Sequence, residues 1–121
     1  MKLNFNIPPT LSPFYELELN FARKLLQENK LQEAWRHYER AHIIGQRYPL
    51  QHSHVHWQML KFGIRIKSIK EVFGQITRLI FGGVKSFVGK VPVGNTGGAN
   101  VPPLRSMEIP RDIMVILNNY S

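Results

Sequence analysis

Apolar side chains return every three or four residues from Ser12 to Phe81, and no segment of useful length alternates apolar with polar. That rhythm commits most of the chain to helices packed on one another, because only a 3.6-residue period gathers such positions on one face. Residues 1–11 are proline-rich and aperiodic. Ser12-Pro13 then has the form of a helix start, a hydroxyl cap followed by proline at the first helical position. Phe14, Leu17, Phe21 and Leu25 recur on one face as far as about Glu28, and Asn29-Lys30 predicts a tight turn. Leu31, Ala34, Trp35, Tyr38, His42 and Gly45 form the stripe of a second helix that ends before Tyr48-Pro49. An antiparallel hairpin is expected. Phe21-Ala22, Leu25, Ala34, Tyr38 and Ala41 follow the large and small spacing of a tetratricopeptide repeat, but one repeat falls short of the three or so that a solenoid needs.

A third helix is predicted from about Leu50 to Lys67, burying His52, Val55, His56, Met59, Leu60, Gly63 and Ile66. A fourth is predicted from about Ile69 to Phe81, burying Val72, Phe73, Ile76, Leu79 and Ile80. Its extension to Val88 is opposed by Gly82-Gly83, each glycine costing about 1 kcal/mol relative to alanine in a helix. Residues 89–110 hold four glycines and four prolines, which excludes a regular element and leaves a long loop, a kind of segment that often carries function. A last helix from about Pro110 to Asn118 is expected to close the core with Ile113, Val115, Ile116 and Leu117. The fold expectation is therefore all-α: one compact bundle of four to five helices that begins with a tetratricopeptide-like hairpin. Residues 12–88 form its core, 89–110 the Gly/Pro-rich loop and 110–118 the closing helix.

A chain of 121 residues is expected to be one domain, and its 43% hydrophobic and 20% charged content is that of a globular protein. With no cysteine, disulfides, thiolate nucleophiles, Cys-ligated zinc and iron–sulfur clusters are excluded. The eight acids are seven Glu and Asp112, so neither a Ser/His/Asp set nor a pair of catalytic carboxylates can be assembled, and no enzymatic activity is expected. Met1–Pro9 lacks the apolar core of a signal peptide, and no segment reaches the roughly 18 uninterrupted apolar residues of a membrane span. A cytoplasmic protein without a membrane span is the expectation.

Five histidines fall between residues 37 and 56. At 100° per residue His42 lies inside the apolar stripe of the second helix, and His52 and His56 inside that of the third, while His37 and His54 point away. The short connection through Pro49 makes these helices neighbours that reverse direction, so three imidazoles are expected to meet at one level. The spacing His52-x-x-x-His56 lets a helix clamp a metal ion from one face, and Glu39, three residues before His42, adds a candidate carboxylate ligand. Ser53 follows His52 where a zinc protease would carry Glu, which excludes that hydrolytic motif. Three readings stay open: buried imidazoles satisfied by internal hydrogen bonds, ligation of haem or a metal ion, and acid–base chemistry.

The net charge of +8 is concentrated between Lys61 and Lys90, where seven cations face one acid, Glu71. A solvated face, a phosphate-contacting surface for nucleic acid and a site for anionic small molecules all fit such a stretch. No zinc finger, aromatic RNA-binding motif or recognition-helix pattern accompanies it, which argues against nucleic acid as a partner. Gly94, Asn95, Thr96, Gly97, Gly98 and Asn100 belong to a segment whose glycines accept left-handed backbone and expose N–H groups, suited either to capping the bundle or to covering a ligand. No Gly-Lys-Ser/Thr follows, so it is not a P-loop.

Taken together, Glu39-Arg40-Ala41-His42-Ile43-Ile44-Gly45-Gln46, His52-x-x-Val55-His56, Gly74-Gln75-x-x-Arg78-Leu79 and Gly94-Asn95-Thr96-Gly97-Gly98-Ala99-Asn100-Val101 resemble a small bacterial family of unknown-function domains, some of whose members are described as haemin-binding proteins. The resemblance runs from about Leu17 to Leu117, and the chain departs from it at Val101–Arg105 and at Met107-Glu108-Ile109-Pro110. It implies a small helical cytoplasmic protein that holds haem for iron acquisition, trafficking or buffering. His42, His52 and His56 would then be the candidate iron ligands, the glycine segment the cover, and Arg65 and Arg78 the candidate propionate partners. The alternatives are a divalent transition-metal protein using the same histidines, or a basic helical interaction module, either of them open to homo-oligomerisation.

Overall fold

The computed structural model describes residues 6–87, 95–99 and 107–121, with the side chains of 80–87 left aside. The described residues form five helices and no strand: α1 (Ser12–Gln27), α2 (Leu31–Gly45), α3 (Pro49–Arg65), α4 (Ile69–Phe87) and α5 (Arg111–Tyr120). The all-α class follows the helical rhythm of the sequence. The 89–110 loop lies largely outside the described residues, Gly94 and Asn100 included.

Helix starts depart from the hydroxyl-cap expectation. Ser12 is already helical: the N-cap of α1 is Leu11, and the Leu11 and Ser12 amides donate to the Pro8 carbonyl at 3.0 and 2.9 Å. The Asn29 turn is as expected and has a clear cause. Asn29 sits in left-handed backbone at φ 61°, and the Lys30 amide reaches back to the Leu25 carbonyl at 2.9 Å while the Asn29 amide reaches Leu26 at 3.1 Å. That is the Schellman ending of a helix. α3 ends identically through Lys67 at φ 57°, its Lys67 and Ser68 amides bonding the Ile64 and Gly63 carbonyls. Ser68 then accepts the Glu71 amide at 3.2 Å, opening α4 one residue beyond the turn. α4 runs to Phe87 through Gly82-Gly83, because propensity is a weak prior that a sustained amphipathic pattern overrides.

The core is one cluster drawn from α1, α2, α3 and α5, with Leu11, Tyr15, Leu19, Ala22, Ala34, Tyr38, Ala41, Ile44, Val55, Met59 and Ile113 among its members. α1 buries Tyr15, Glu18, Leu19 and Ala22 and leaves Leu17 and Phe21 exposed, a face one residue round from the expected one. Both stripes keep helical spacing, so periodicity alone does not choose between them. The small residues Ala22, Ala34 and Ala41 are fully buried among the large ones, as close helix packing requires. Glu18 is buried as well, and it holds α2 by accepting from Arg40 Nε at 2.9 Å and pairing with His37 Nδ1 at 2.6 Å. Arg40 also pairs with Asp112, tying α5 to the same network.

α4 packs on α3, where Val72 Cγ2 would stand 3.2 Å from a Cβ at Gly63. Its orientation overturns the sequence expectation. Phe73 and Ile76 face outward, as does Ile66 at the end of α3, while the polar Gln75 is fully buried. No helix among the described residues is long and apolar enough to cross a membrane.

Candidate metal centre

His42 belongs to the last turn of α2, and His52 and His56 to the first two turns of α3. The three-residue reversal between the helices faces these turns toward each other. The rings meet edge to face, with centroids 4.7 Å apart for His42 and His56, 4.6 Å for His52 and His56, and 5.0 Å for His42 and His52. The Nε2 atoms of His42 and His56 are 3.1 Å apart and those of His56 and His52 3.0 Å apart. One ligand atom from each of the three lies within 4.8 Å of the other two. His42 and His56 are buried and His52 is partly exposed, so the cluster opens toward His52.

Neighbours set which nitrogen carries each proton. The Asn95 carbonyl can only accept, so His42 Nδ1–H donates to it at 2.6 Å. Gln75 Nε2 donates to Glu71 Oε1 at 2.7 Å and to the Gly97 carbonyl at 2.8 Å, which orients its amide. Gln75 Oε1 therefore accepts, and His56 Nδ1–H donates to it at 2.5 Å. In its neutral form each of these two imidazoles thus turns an Nε2 lone pair inward. Two lone pairs at 3.1 Å cannot hydrogen-bond to one another. His42 is poorly placed to relieve the conflict by taking a proton: burial holds its pKa well below its ordinary value, and positive charge on His56 or His52 pushes it the same way. The arrangement brings one ring nitrogen from each of three histidines to a common point, so its fit to a metal ion can be checked.

The spacing fits one. Three nitrogens bound tetrahedrally at about 2.0–2.1 Å from zinc stand roughly 3.3 Å apart; the His42–His56 and His56–His52 pairs are close to this at 3.1 and 3.0 Å, and all three ligand atoms lie within 4.8 Å of one another. The surroundings fit as well, since histidine ligands characteristically donate their second N–H to a carbonyl or a carboxylate. Here the acceptors are the Asn95 carbonyl and the Gln75 amide oxygen, with Glu71 behind Gln75.

The glycine segment reaches this cluster. Asn95 is buried and folds back to accept the Gly97 amide on its own Oδ1 at 2.8 Å. Gly97 has φ +83°, and a Cβ there would stand 2.6 Å from His42 Cδ2, so backbone and space both require glycine. The segment also lies on α4, where a Cβ at Gly74 would be 2.5 Å from Ala99 Cβ, and the Ala99 amide donates to the Glu71 carboxylate at 3.1 Å. Gly98 is buried too, and Thr96 places a buried hydroxyl near Glu39 with no bond of good geometry.

Two expected site residues stand elsewhere. Glu39 is not in the cluster: one turn before His42, its carboxyl lines a cleft between α2, α3 and α4, where burial raises its pKa. Arg65 lies nine residues beyond His56, roughly 13 Å along the helix at 1.5 Å per residue, and its guanidinium donates to the Leu26 carbonyl at 3.1 Å. Arg78 is nearer, half-buried on α4, and its positive charge adds to the forces that keep His42 neutral. His37 and His54 stay outside, the first on Glu18 and the second beside Gln58. Sequence reasoning missed Gln75 and Glu71 as partners of the site. The signal was a polar residue three positions after Val72, inside the apolar stripe of α4.

No curated protein and no solved structure matches the chain. The family described as "Protein of unknown function (DUF3703)" matches residues 9–117, nearly the whole length, and the chain belongs to that family.

Proposed function

We propose that the protein binds a divalent first-row transition ion, of the zinc, nickel or copper kind, through Nε2 of His42, His52 and His56, and that it serves as a binder of the ion rather than as a catalyst. The observation that carries this reading is the convergence of Nε2 atoms at 3.0 and 3.1 Å while the Nδ1 atoms of His42 and His56 are spoken for by Asn95 and Gln75. Three neutral imidazole donors suit borderline ions and serve magnesium or calcium poorly, since those prefer oxygen. Haem fits the same donors less well. Its two axial positions lie on opposite faces of the macrocycle, so two axial imidazoles are held apart by the ring between them, and a single axial imidazole leaves the other two without a task.

The test is a titration of protein purified without a His tag. Zinc is expected to bind at one equivalent in competition with a chromophoric chelator, and cobalt(II) to give the visible bands of a tetrahedral nitrogen site. His42→Ala, His52→Ala and His56→Ala should each weaken zinc by more than the ~10–100-fold of an outer-shell change. Haemin titrated alongside is the competing arm. A stoichiometric Soret shift that needs the histidines, with no zinc uptake, would overturn the bare-ion reading in favour of haem.

A further inference from the structure

A cleft of about 530 Å³ opens between α2, α3 and the start of α4, next to the histidine cluster but not lined by it. Its volume lies within the range of small-molecule sites, roughly 300–1,000 Å³. Its apolar lining is Leu31, Trp35, Phe62 and Ile66, and the Trp35 and Phe62 rings meet at 5.0 Å between centroids, tilted by 41°. Two carboxylates line it as well, Glu39 from α2 and Glu71 from α4, with one exposed guanidinium, Arg36. In a chain whose cations outnumber its acids 16 to 8, two of the eight acids meet in this one cleft. Burial is the main cause that raises the Glu39 pKa; Thr96 and the Arg36 charge offset part of it, and the negative charge on Glu71 raises it further, so the two carboxylates repel. Glu71 is committed to Gln75 and Ala99 on one side, yet a carboxylate has about four lone-pair sites, so it keeps accepting capacity toward the cleft.

We propose that this cleft binds a small organic cation, an ammonium or guanidinium head received by Glu39 and Glu71 with an apolar, preferably aromatic, body lying on Trp35 and Phe62. The head would relieve the repulsion between the carboxylates through charge-assisted hydrogen bonds, and the Trp35 face adds cation–π attraction. A bare divalent ion is the poorer occupant. Among the described residues the histidine trio is the cluster in which three ligand atoms come together, whereas Glu39 and Glu71 offer a pair. The three histidines do not line the cleft, so this proposal stands or falls apart from the metal reading.

The probe is phenethylamine, an ammonium on a phenyl body, compared with 2-phenylethanol, its uncharged analogue, and 3-phenylpropionate, its anionic one. Trp35 reports through fluorescence in a Trp57→Phe background, Trp57 being half exposed on the far side of α3 from the core. Phenethylamine is expected to give a saturable change, at least about tenfold tighter than 2-phenylethanol as a charged hydrogen bond implies, with no saturation by 3-phenylpropionate. Glu39→Gln should bring the amine down to the level of the alcohol while its circular-dichroism melt shows a folded protein; Glu71→Gln is the poorer variant, since Glu71 also holds Gln75. Equal binding of amine and alcohol by the unaltered cleft, or no saturation by the amine up to millimolar concentration, would overturn the proposal whether or not the variant folds.

Discussion

At the scale of the residue, the centre depends on side chains that would not touch an ion. Gln75 is fully buried and supplies the acceptor for His56 Nδ1–H while both its N–H groups are anchored by Glu71 and Gly97. Gln75→Leu removes that acceptor without removing a ligand. It is expected to lower zinc affinity by about 10–100-fold and stability by about 1–3 kcal/mol for the orphaned donor, read by chelator competition and urea denaturation. pH acts on the same residues. In the metal-free protein burial depresses the His42 pKa, so below the ordinary imidazole value near 6.5 the unfolded chain binds a proton that the folded one refuses. Stability is then complete above about pH 6.5 and falls as pH drops below it. Denaturation of chelator-treated protein from pH 8 to pH 5 should show this slope, and His42→Phe should flatten it.

At the scale of the element, helix endings decide how the site is presented. Asn29 and Lys67 both occupy left-handed backbone at the C-terminal ends of α1 and α3. Asparagine tolerates that conformation; lysine pays for it, by roughly 1–2 kcal/mol on the general cost of left-handed helical geometry for an L-residue. Lys67→Gly is therefore expected to raise stability by up to about 1 kcal/mol, a gain that urea midpoints would reveal. The following Ser68 and Glu71 begin α4 in the register that turns Gln75 inward and Phe73 outward. The apolar pattern of α4 could not foretell this, because Phe73 and Ile76 compete with Val72 and Leu79 for the core side. In the structure Val72 packs on Gly63 and Gln75 meets the His56 N–H, and neither partner is specified by the α4 pattern alone.

At the scale of the whole molecule, the proposed ion site joins parts that are far apart in the chain. The trio takes one histidine from α2 and two from α3, and its supports come from α4 and from residues 95–97. An ion that binds this assembly and not the unfolded chain must stabilise the fold, by about 2.7 kcal/mol at a hundred times its dissociation constant. For a domain of this size that amounts to a rise in Tm of roughly 10 °C. Differential scanning calorimetry with zinc should show it, and the His42→Ala/His52→Ala/His56→Ala variant should lose it.

The all-α class, the order of five helices, the Asn29 turn and the meeting of His42 with His52 and His56 were legible in the residues themselves, because each follows from helical period or from a connection too short to allow another course. Tertiary structure decided the rest: which of two apolar stripes α1 buries, that Glu39 leaves the histidines for a cleft, that Arg65 is spent on the Leu26 carbonyl, and which proton each imidazole carries. Those outcomes turn on partners distant in sequence, and a hydrogen bond or a desolvated charge has no preferred address until packing supplies one.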